Sequence, residues 1–409
     1  MEDQITSRRN FVTGALRIIA ISCATSMQGS AHEIPNMTQG DLSVLGDAFP
    51  EETHYLGQVF NNTTNSYKLF WFLSIVEIVS RNASERLPLN EIFAEMVVSA
   101  WHPVSLFRLS LGRQDKLQDL VQEVQLESGL ANDAKPTEVR KWILASNSIS
   151  AKLDFFRRYV PTRFLTPWFG AELSGVRDDL KRTKLIVEQA ALSQRQSPSA
   201  PYFFEDDAIV INTSWLTFFR KNFGVVKAFA EHNLTLFLQA RNPNIPSVVN
   251  KLRAPSERNL NEAKKFWGEA RLGLLREGRG NDFVDIYTDK ELGEKFSIDH
   301  FLPWSFVAHD LLWNLVPVDK AVNSSKGNTL PDLDEYMPRF ARIHLAAIHA
   351  NRKKPRLLEQ YLDCFQLDNQ GLLRLGEEEF LTKYRSVIVP QSQLAMNQGF
   401  AHGWRFVPQ

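Results

Sequence analysis

Four polar residues close together in the chain constrain its fold more than any other feature of the sequence. Asp299 and His300 are adjacent, and Asn314 and Asn323 follow within one short segment. A segment of this length accommodates a strand, a loop, a second strand and a helix. The spacing therefore predicts a compact unit that brings one carboxylate, one imidazole and two amides together.

These side chains meet the chemical needs of phosphodiester hydrolysis, which requires a base, a cation and rigid positioning. His300 is the candidate general base, at the end of a strand-like segment at 296–298 that follows another at 283–287. Asp299 and Asn323 offer oxygen ligands to one divalent ion, and such ligands favour Mg²⁺ or Mn²⁺. Asn314 is expected to orient the His300 loop through backbone hydrogen bonds.

A short helix is predicted around Asn323. Asp319 is a candidate N-cap for a helix that starts at Lys320, and Gly327 is placed to end it. Asn323 and Lys326 then lie on one helical face. We expect Lys326 to face the phosphate.

Three segments of this region resemble the HNH endonuclease motif: 298–306, 312–317 and 322–331. They are similar to the variant with Asp as the first metal ligand and Asn as the last, found in the HNH domain of RNA-guided CRISPR effector nucleases. The resemblance implies a ββα-metal finger. Shorter segments at 60–68, 241–246 and 397–400 resemble bacterial HNH domain-containing proteins and imply no role.

The resemblance also implies a role for each site residue. Asp299 and Asn323 match the metal ligands, His300 the general base and Asn314 the loop-positioning amide. Lys326 matches a basic position of the motif helix and is grouped with the catalytic residues.

The sequence departs from many HNH proteins in lacking paired Cys-x-x-Cys motifs. The corresponding stretches, 285–288 and 318–321, contain no cysteine, and the chain has only Cys23 and Cys364. No structural zinc is expected. Apolar packing is expected to hold the hairpin, through Phe301, Trp304, Phe306 and Trp313.

The overall pattern predicts a mostly helical α+β protein, with a helical N-terminal region, an HNH ββα-metal finger in the C-terminal half and a helical C-terminal tail. The predicted divisions are an N-terminal extension (1–36), a helical domain (37–195), a hairpin plus helix (202–255), the HNH nuclease domain (256–340) and the tail (341–409).

The N-terminal segment leaves the compartment open. Arg8 and Arg9 precede an apolar stretch, as in a twin-arginine export signal, whereas Met37 is an alternative start. The predicted location is cytoplasmic, with a periplasmic alternative. The apolar run 69–79 is too short to span a membrane.

Charge does not single out a partner by itself, because 47 basic residues balance 47 acidic ones. Basic residues nevertheless flank the motif, including Lys251, Arg258 and the run 352–356, and next to such a motif they favour phosphate contacts. DNA is the expected substrate, RNA remains an alternative, and a protein partner in a defence system is considered.

The predicted function is metal-dependent DNA cleavage, and the resemblance implies a setting in bacterial restriction or anti-phage defence. One alternative is a catalytically silent nucleic-acid-binding module that acts with a partner, and another is an exported nuclease. The pair His309-Asp310 suggests an HD-type phosphohydrolase, but the further His and Asp that such a site needs are not identifiable by spacing, so a loop or cap role is favoured.

Overall fold

Helices dominate the fold, as the amphipathic periods of the sequence predict. The structure is a computed structural model and describes residues 53–82, 84–194, 199–253 and 258–408. It is 62% helix and 7% strand, which confirms the mostly helical α+β class. The N-terminal extension, which carries the export motif, and Met37 lie outside the described residues.

The chain divides into two compact units. The first contains the described residues up to 104 together with 110–241, and the second contains 105–109 and 242–408. The division therefore falls after residue 241, whereas the sequence pattern predicts boundaries near 195 and 255. The hairpin and helices of 202–241 belong with the N-terminal helices because their strands and apolar faces pack there.

The first unit is built from helices and a small sheet. Its helices are α1 (Thr53–Gln58), α2 (Tyr67–Arg81), α3 (Leu89–Trp101), α4 (Lys116–Ser128), α5 (Pro136–Ala145), α6 (Asn147–Arg157), α7 (Val160–Phe164), α8 (Asp179–Leu192), α9 (Thr213–Lys221) and α10 (Phe223–Arg241), with a 3₁₀ turn at Thr166–Phe169. Its strands are β1 (Arg86–Pro88), β2 (Tyr202–Glu205) and β3 (Ala208–Ile211). A π-helical turn, His102–Leu106, follows α3.

The core of this unit forms around α2 and α3, because most residues of both helices are apolar and buried. Nearly every residue from Leu69 to Val79 is buried, as expected for a core helix. The sheet has the order β1-β3-β2 with antiparallel pairs. Leu87 pairs with Ile209 and Tyr202 pairs with Ile211, so the predicted hairpin gains a third strand from the N-terminal region.

Tyr202 links three elements of this core through its hydroxyl group. The hydroxyl accepts a hydrogen bond from Nε1 of Trp71 at 3.1 Å and donates one to the carbonyl oxygen of Pro161 at 2.6 Å. The Tyr202 side chain is fully buried. Because water does not reach these groups, each needs its protein partner.

The second unit carries the predicted site. Its helices are α11 (Asn261–Arg276), α12 (Trp304–Val307), α13 (Lys320–Lys326), α14 (Leu333–Ala350), α15 (Glu359–Phe365), α16 (Asn369–Arg374) and α17 (Glu377–Asn397). Short 3₁₀ turns lie at Val248–Lys251, Gly280–Asp282, Leu312–Asn314 and Pro355–Leu357. The strands β4 (Ser297–His300) and β5 (Leu315–Val318) form an antiparallel hairpin.

The helices α11 and α14 form the support on which this hairpin rests. Gly273 permits their close approach, since a Cβ atom there would lie 2.9 Å from Cβ of Ala350. Trp267 of α11 is buried and donates a hydrogen bond from Nε1 to the carbonyl oxygen of Leu315 at 3.1 Å. The end of the hairpin that carries the site is therefore fixed to a packed helix pair.

In the part of the chain that the structure describes, none of the helices is both long and apolar enough to cross a membrane.

Replacing Tyr202 with Phe is expected to lower the free energy of unfolding by about 1–3 kcal/mol, because it leaves the Trp71 N–H and the Pro161 carbonyl unpaired in the core. Urea denaturation measures the change. Tyr159→Phe is the control, since no hydrogen bond of the Tyr159 hydroxyl occurs among the described residues. Equal stability of both variants would contradict this account.

Candidate active site

The β4–β5 hairpin brings the first predicted site residues to one end of the finger. Asp299 pairs with Val316 and His300 pairs with Leu315. The first strand is thus 297–300, one residue later than the segment predicted to begin at 296. The preceding segment 283–287, which was also predicted to be strand-like, instead forms a turn with a single bridge between Val284 and Glu291.

Asn314 fixes the beginning of the loop that follows His300. Its Oδ1 accepts a hydrogen bond from the backbone N–H of Leu302 at 2.8 Å, and its Nδ2 donates to the Leu302 carbonyl at 2.9 Å. Its own carbonyl accepts from the N–H of Phe301 at 2.9 Å. Asn314 is fully buried, so these bonds compete with no water. The predicted loop contact is confirmed, and its effect on catalysis stays a prediction.

The helix α13 has the predicted limits. The Asp319 side chain accepts hydrogen bonds from the backbone N–H groups of Ala321 and Val322, and Gly327 ends the helix with φ of 52°. Asn323 and Lys326 share one helical face, as predicted, and this face lies against β4. Nδ2 of Asn323 donates to the Ile298 carbonyl at 3.3 Å, and its side-chain oxygen has no hydrogen-bond partner among the described residues.

Lys326 is buried against Asp299. Its Nζ lies 3.2 Å from Oδ1 and 3.1 Å from Oδ2 of Asp299, and it donates to the His300 carbonyl at 2.7 Å. Tyr287 donates its hydroxyl to Oδ2 of Asp299 at 2.7 Å. Lys326 is only 1% exposed. The expectation that it faces the phosphate is wrong for this state, because the uncompensated charge of a buried carboxylate attracts the ammonium group.

His300 is paired with a residue from the far end of its loop. Its Nε2 lies 2.8 Å from Oδ1 of Asp310, with the imidazole 6% exposed and the carboxylate 23% exposed. Nδ1 of His300 has no hydrogen-bond partner among the described residues. Burial, together with the nearby His300, lowers the pKa of His309 to about 4, so His309 is neutral near pH 7.

Lys251 is one of the flanking basic residues expected to contact phosphate, but its side chain lies inside the protein. It is fully buried, and its Nζ donates to the Phe306 carbonyl at 2.5 Å. Burial lowers the pKa of Lys251 to about 7. A phosphate contact by this residue is therefore excluded in this structure, and its amine instead supports the loop after His300.

Asp285 connects the two stretches where many HNH proteins carry cysteines. Its Oδ1 accepts hydrogen bonds from the backbone N–H groups of Tyr287 at 2.8 Å and Thr288 at 3.3 Å, and its Oδ2 accepts from that of Asp319 at 2.7 Å. It is 1% exposed, and this burial raises its pKa against the opposing effect of the three N–H groups.

Apolar packing also supports the hairpin, but less evenly than predicted. Phe301 and Phe306 are fully buried, and Trp313 is nearly so. Trp304 is only half-buried, between Phe107 and Arg258. The expectation that packing alone holds the hairpin is therefore incomplete, because the Asp285 carboxylate also ties the end of β5, at Asp319, to the turn at 285–288.

The donor set suits a single hard cation. Asp299 supplies a carboxylate and Asn323 a side-chain oxygen without a partner, while the Lys326 ammonium occupies the carboxylate as a cation would. Oxygen ligands of this kind bind Mg²⁺ or Mn²⁺. Within the described ranges, no group of three or more His, Cys, Asp or Glu residues is arranged to hold a metal. The remaining coordination positions would belong to water and substrate.

The comparison with protein families identifies this segment. Residues 285–332 match the family model described as HNH endonuclease, so they form an HNH endonuclease domain, and this confirms the motif predicted from the sequence. Such domains typically use a divalent metal and imply a nucleic-acid substrate. Comparisons with curated proteins and with solved structures found no significant match to the chain.

Three residues of the site were missed by the sequence analysis: Asp285, Tyr287 and Asp310. Tyr287 lay in a supposed strand, and no spacing linked it to Asp299. Asp285 lies in the same predicted strand, and its stretch otherwise stands out only for its lack of cysteine. Asp310 belongs to the pair His309-Asp310, whose HD-type pattern directs attention away from His300, although its position in the loop after His300 is compatible with a contact to that imidazole.

Asp285→Asn is expected to lower the free energy of unfolding by about 2–3 kcal/mol. An amide has one acceptor oxygen, so either orientation sets its NH₂ group against a backbone N–H. Thermal and urea unfolding measure the loss. Asp282→Asn is the matched control, because Asp282 makes an exposed pair with Arg279 that contributes little. A loss no larger than that of the control would contradict the bridging role.

Proposed function

We propose that this chain is a metal-dependent endonuclease that hydrolyses phosphodiester bonds in DNA. The observation that carries the proposal is the convergence of Asp299, His300, Asn314 and Asn323 at the end of the hairpin within a segment that matches HNH endonucleases. Each residue has the chemistry that its role requires. A bacterial restriction or anti-phage setting follows from resemblance alone.

His300 is the proposed general base. Its Nε2 is already engaged by Asp310, whereas its Nδ1 has no hydrogen-bond partner among the described residues. Nδ1 is thus the atom that takes a proton from water as the water attacks phosphorus. The leaving 3′-oxygen departs in line, and the product carries a 5′-phosphate.

Asn314 and Lys326 hold the groups that react. Asn314 locks the loop after His300 at Leu302, which limits the motion of the imidazole. Lys326 keeps the Asp299 carboxylate in place and binds the His300 carbonyl, so it couples the two neighbouring residues. A divalent cation held by Asp299 and Asn323 would supply positive charge to the phosphate and to the leaving oxygen.

Exposed cations in the same unit support DNA as the substrate. Lys264 and Lys265 are exposed on α11, and Lys353 and Arg356 are exposed in the segment after α14. Their neighbours Lys354 and Arg352 form surface ion pairs with Glu269 of α11 and with Glu277, which follows the helix. A group of exposed cations on one unit suits contact with a phosphate backbone.

His300→Ala is expected to reduce the rate of plasmid cleavage in Mg²⁺ by at least ~100-fold, because the proton acceptor is lost. Gel analysis of supercoiled, nicked and linear DNA measures the rate, and a melting curve checks the fold. His402→Ala is the control, since His402 is exposed. Cleavage by His300→Ala at the wild-type rate would contradict the assignment, as would a wild type that binds Mn²⁺ and cuts no DNA.

Lys326→Met is expected to lower the free energy of unfolding by about 3–5 kcal/mol in chelator, since it leaves the Asp299 charge buried and unpaired. Adding Mn²⁺ should recover part of this loss, because a cation that binds only the folded state stabilises it. Urea unfolding with and without Mn²⁺ measures both effects. The control is Lys320→Met, at an exposed position of the same helix. If Mn²⁺ stabilised the wild type and Lys326→Met equally, the result would contradict the view that the Lys326 ammonium group and the metal ion interact with the same Asp299 carboxylate.

A further inference from the structure

We propose that Asp310 is a positioning residue that fixes the tautomer and the ring orientation of His300. This inference rests on the proposed function and deepens it, because it names the residue that keeps Nδ1 of the base free to accept the proton. Asp310 itself touches neither the substrate nor the reacting atoms. It acts through the imidazole.

The contact has the geometry of a strong hydrogen bond. Oδ1 of Asp310 lies 2.8 Å from Nε2 of His300, within the range for a hydrogen bond to a charged partner. The imidazole is 6% exposed, so little water competes for Nε2. Rotation of the ring would break this bond in a largely buried environment, which costs free energy.

The protonation state of Asp310 decides which nitrogen carries the proton. Burial alone raises the pKa of its carboxyl group, but the hydrogen bond and charge of His300, with Arg258 and His309, shift it below its ordinary value. Asp310 is therefore ionised near pH 7 and accepts hydrogen bonds only. Nε2 must then donate, and in the neutral imidazole Nδ1 keeps its lone pair for the proton of water.

The loop that carries Asp310 is fixed on both sides. Ala308 adopts a left-handed conformation with φ of 53°, and its carbonyl accepts a hydrogen bond from Nδ2 of Asn250 at 3.1 Å. After Asp310, the N–H of Leu312 donates to Oε1 of Gln360 at 2.6 Å. The carboxylate thus projects from a loop whose ends are fixed by residues outside it, as a positioning role requires.

The tautomer of His300 can be read directly by NMR with ¹⁵N-labelled histidine in the full-length protein. At about pH 8.5, two units above the ordinary imidazole pKa, a free imidazole is neutral, and the ¹⁵N shifts distinguish the protonated from the bare nitrogen. The His300 signals are assigned with His300→Ala. The wild type, Asp310→Asn and Asp310→Ala are compared, with Asp363→Asn as an exposed control of the same type.

We expect the wild type and the control to show His300 with the proton on Nε2. In Asp310→Asn and Asp310→Ala the signals should move toward a mixture of tautomers. The kcat for DNA cleavage should fall roughly 10- to 100-fold with KM nearly unchanged, because the base is misoriented while substrate binding is intact. Asp310→Asn retains the shape of the side chain, so it covers the case in which Asp310→Ala folds poorly.

An unchanged His300 tautomer in both variants would overturn the proposal, and so would a kcat within about twofold of the wild-type value. Failure of the proposed function is a separate result, recognised by a wild type that binds Mn²⁺ and does not cut DNA. In that case the NMR comparison still decides whether Asp310 fixes the imidazole, because it requires no turnover.

Discussion

The buried ion pair between Lys326 and Asp299 is the constraint on which the rest of the site depends. It joins the last turn of α13 to β4, with Nζ 3.1 Å from the carboxylate, and the same ammonium group binds the His300 carbonyl. Both side chains are almost completely shielded from water, so neither charge is tolerated without a partner. The pair therefore sets the position of Asp299, His300 and the Asn323 face of the helix together.

Three further polar contacts connect the finger, two of them to the backbone and one between side chains. Asp285 joins its own turn to the start of α13, and Asn314 joins the second strand to the loop after His300. Asp310 reaches back across that loop to the imidazole. Each bond closes a loop at a buried or partly buried position, where a satisfied polar group specifies one arrangement. The helices α11 and α14 supply the apolar support beneath the hairpin, and the polar contacts determine where the reactive groups lie.

Local patterns predicted much of this unit. The cap at Asp319, the end at Gly327 and the shared face of Asn323 and Lys326 follow from short-range rules, and all are present. The amide of Asn314 was also placed correctly at the loop. The partners of Lys326, Asp285 and Tyr287 were not predicted, because they depend on contacts between segments far apart in the chain. Lys326 was expected to face the phosphate, but it is buried against Asp299. Helical periodicity identifies the face on which a residue lies and does not identify the charged group that packs against that face. The pairing of β1 with β3, which joins the hairpin at 202–211 to the first unit, is likewise a long-range contact.

The source of the oxygen atom in the product tests the central claim most directly. A defined DNA duplex would be incubated with the purified full-length protein and Mg²⁺ in ¹⁸O-labelled water, and the fragments would be weighed by mass spectrometry. Attack of water at phosphorus, with departure of the 3′-oxygen, predicts one ¹⁸O atom in each new 5′-phosphate and an unlabelled 3′-hydroxyl. Fragments that end in a 3′-phosphate, or a 5′-phosphate without the label, would contradict the account.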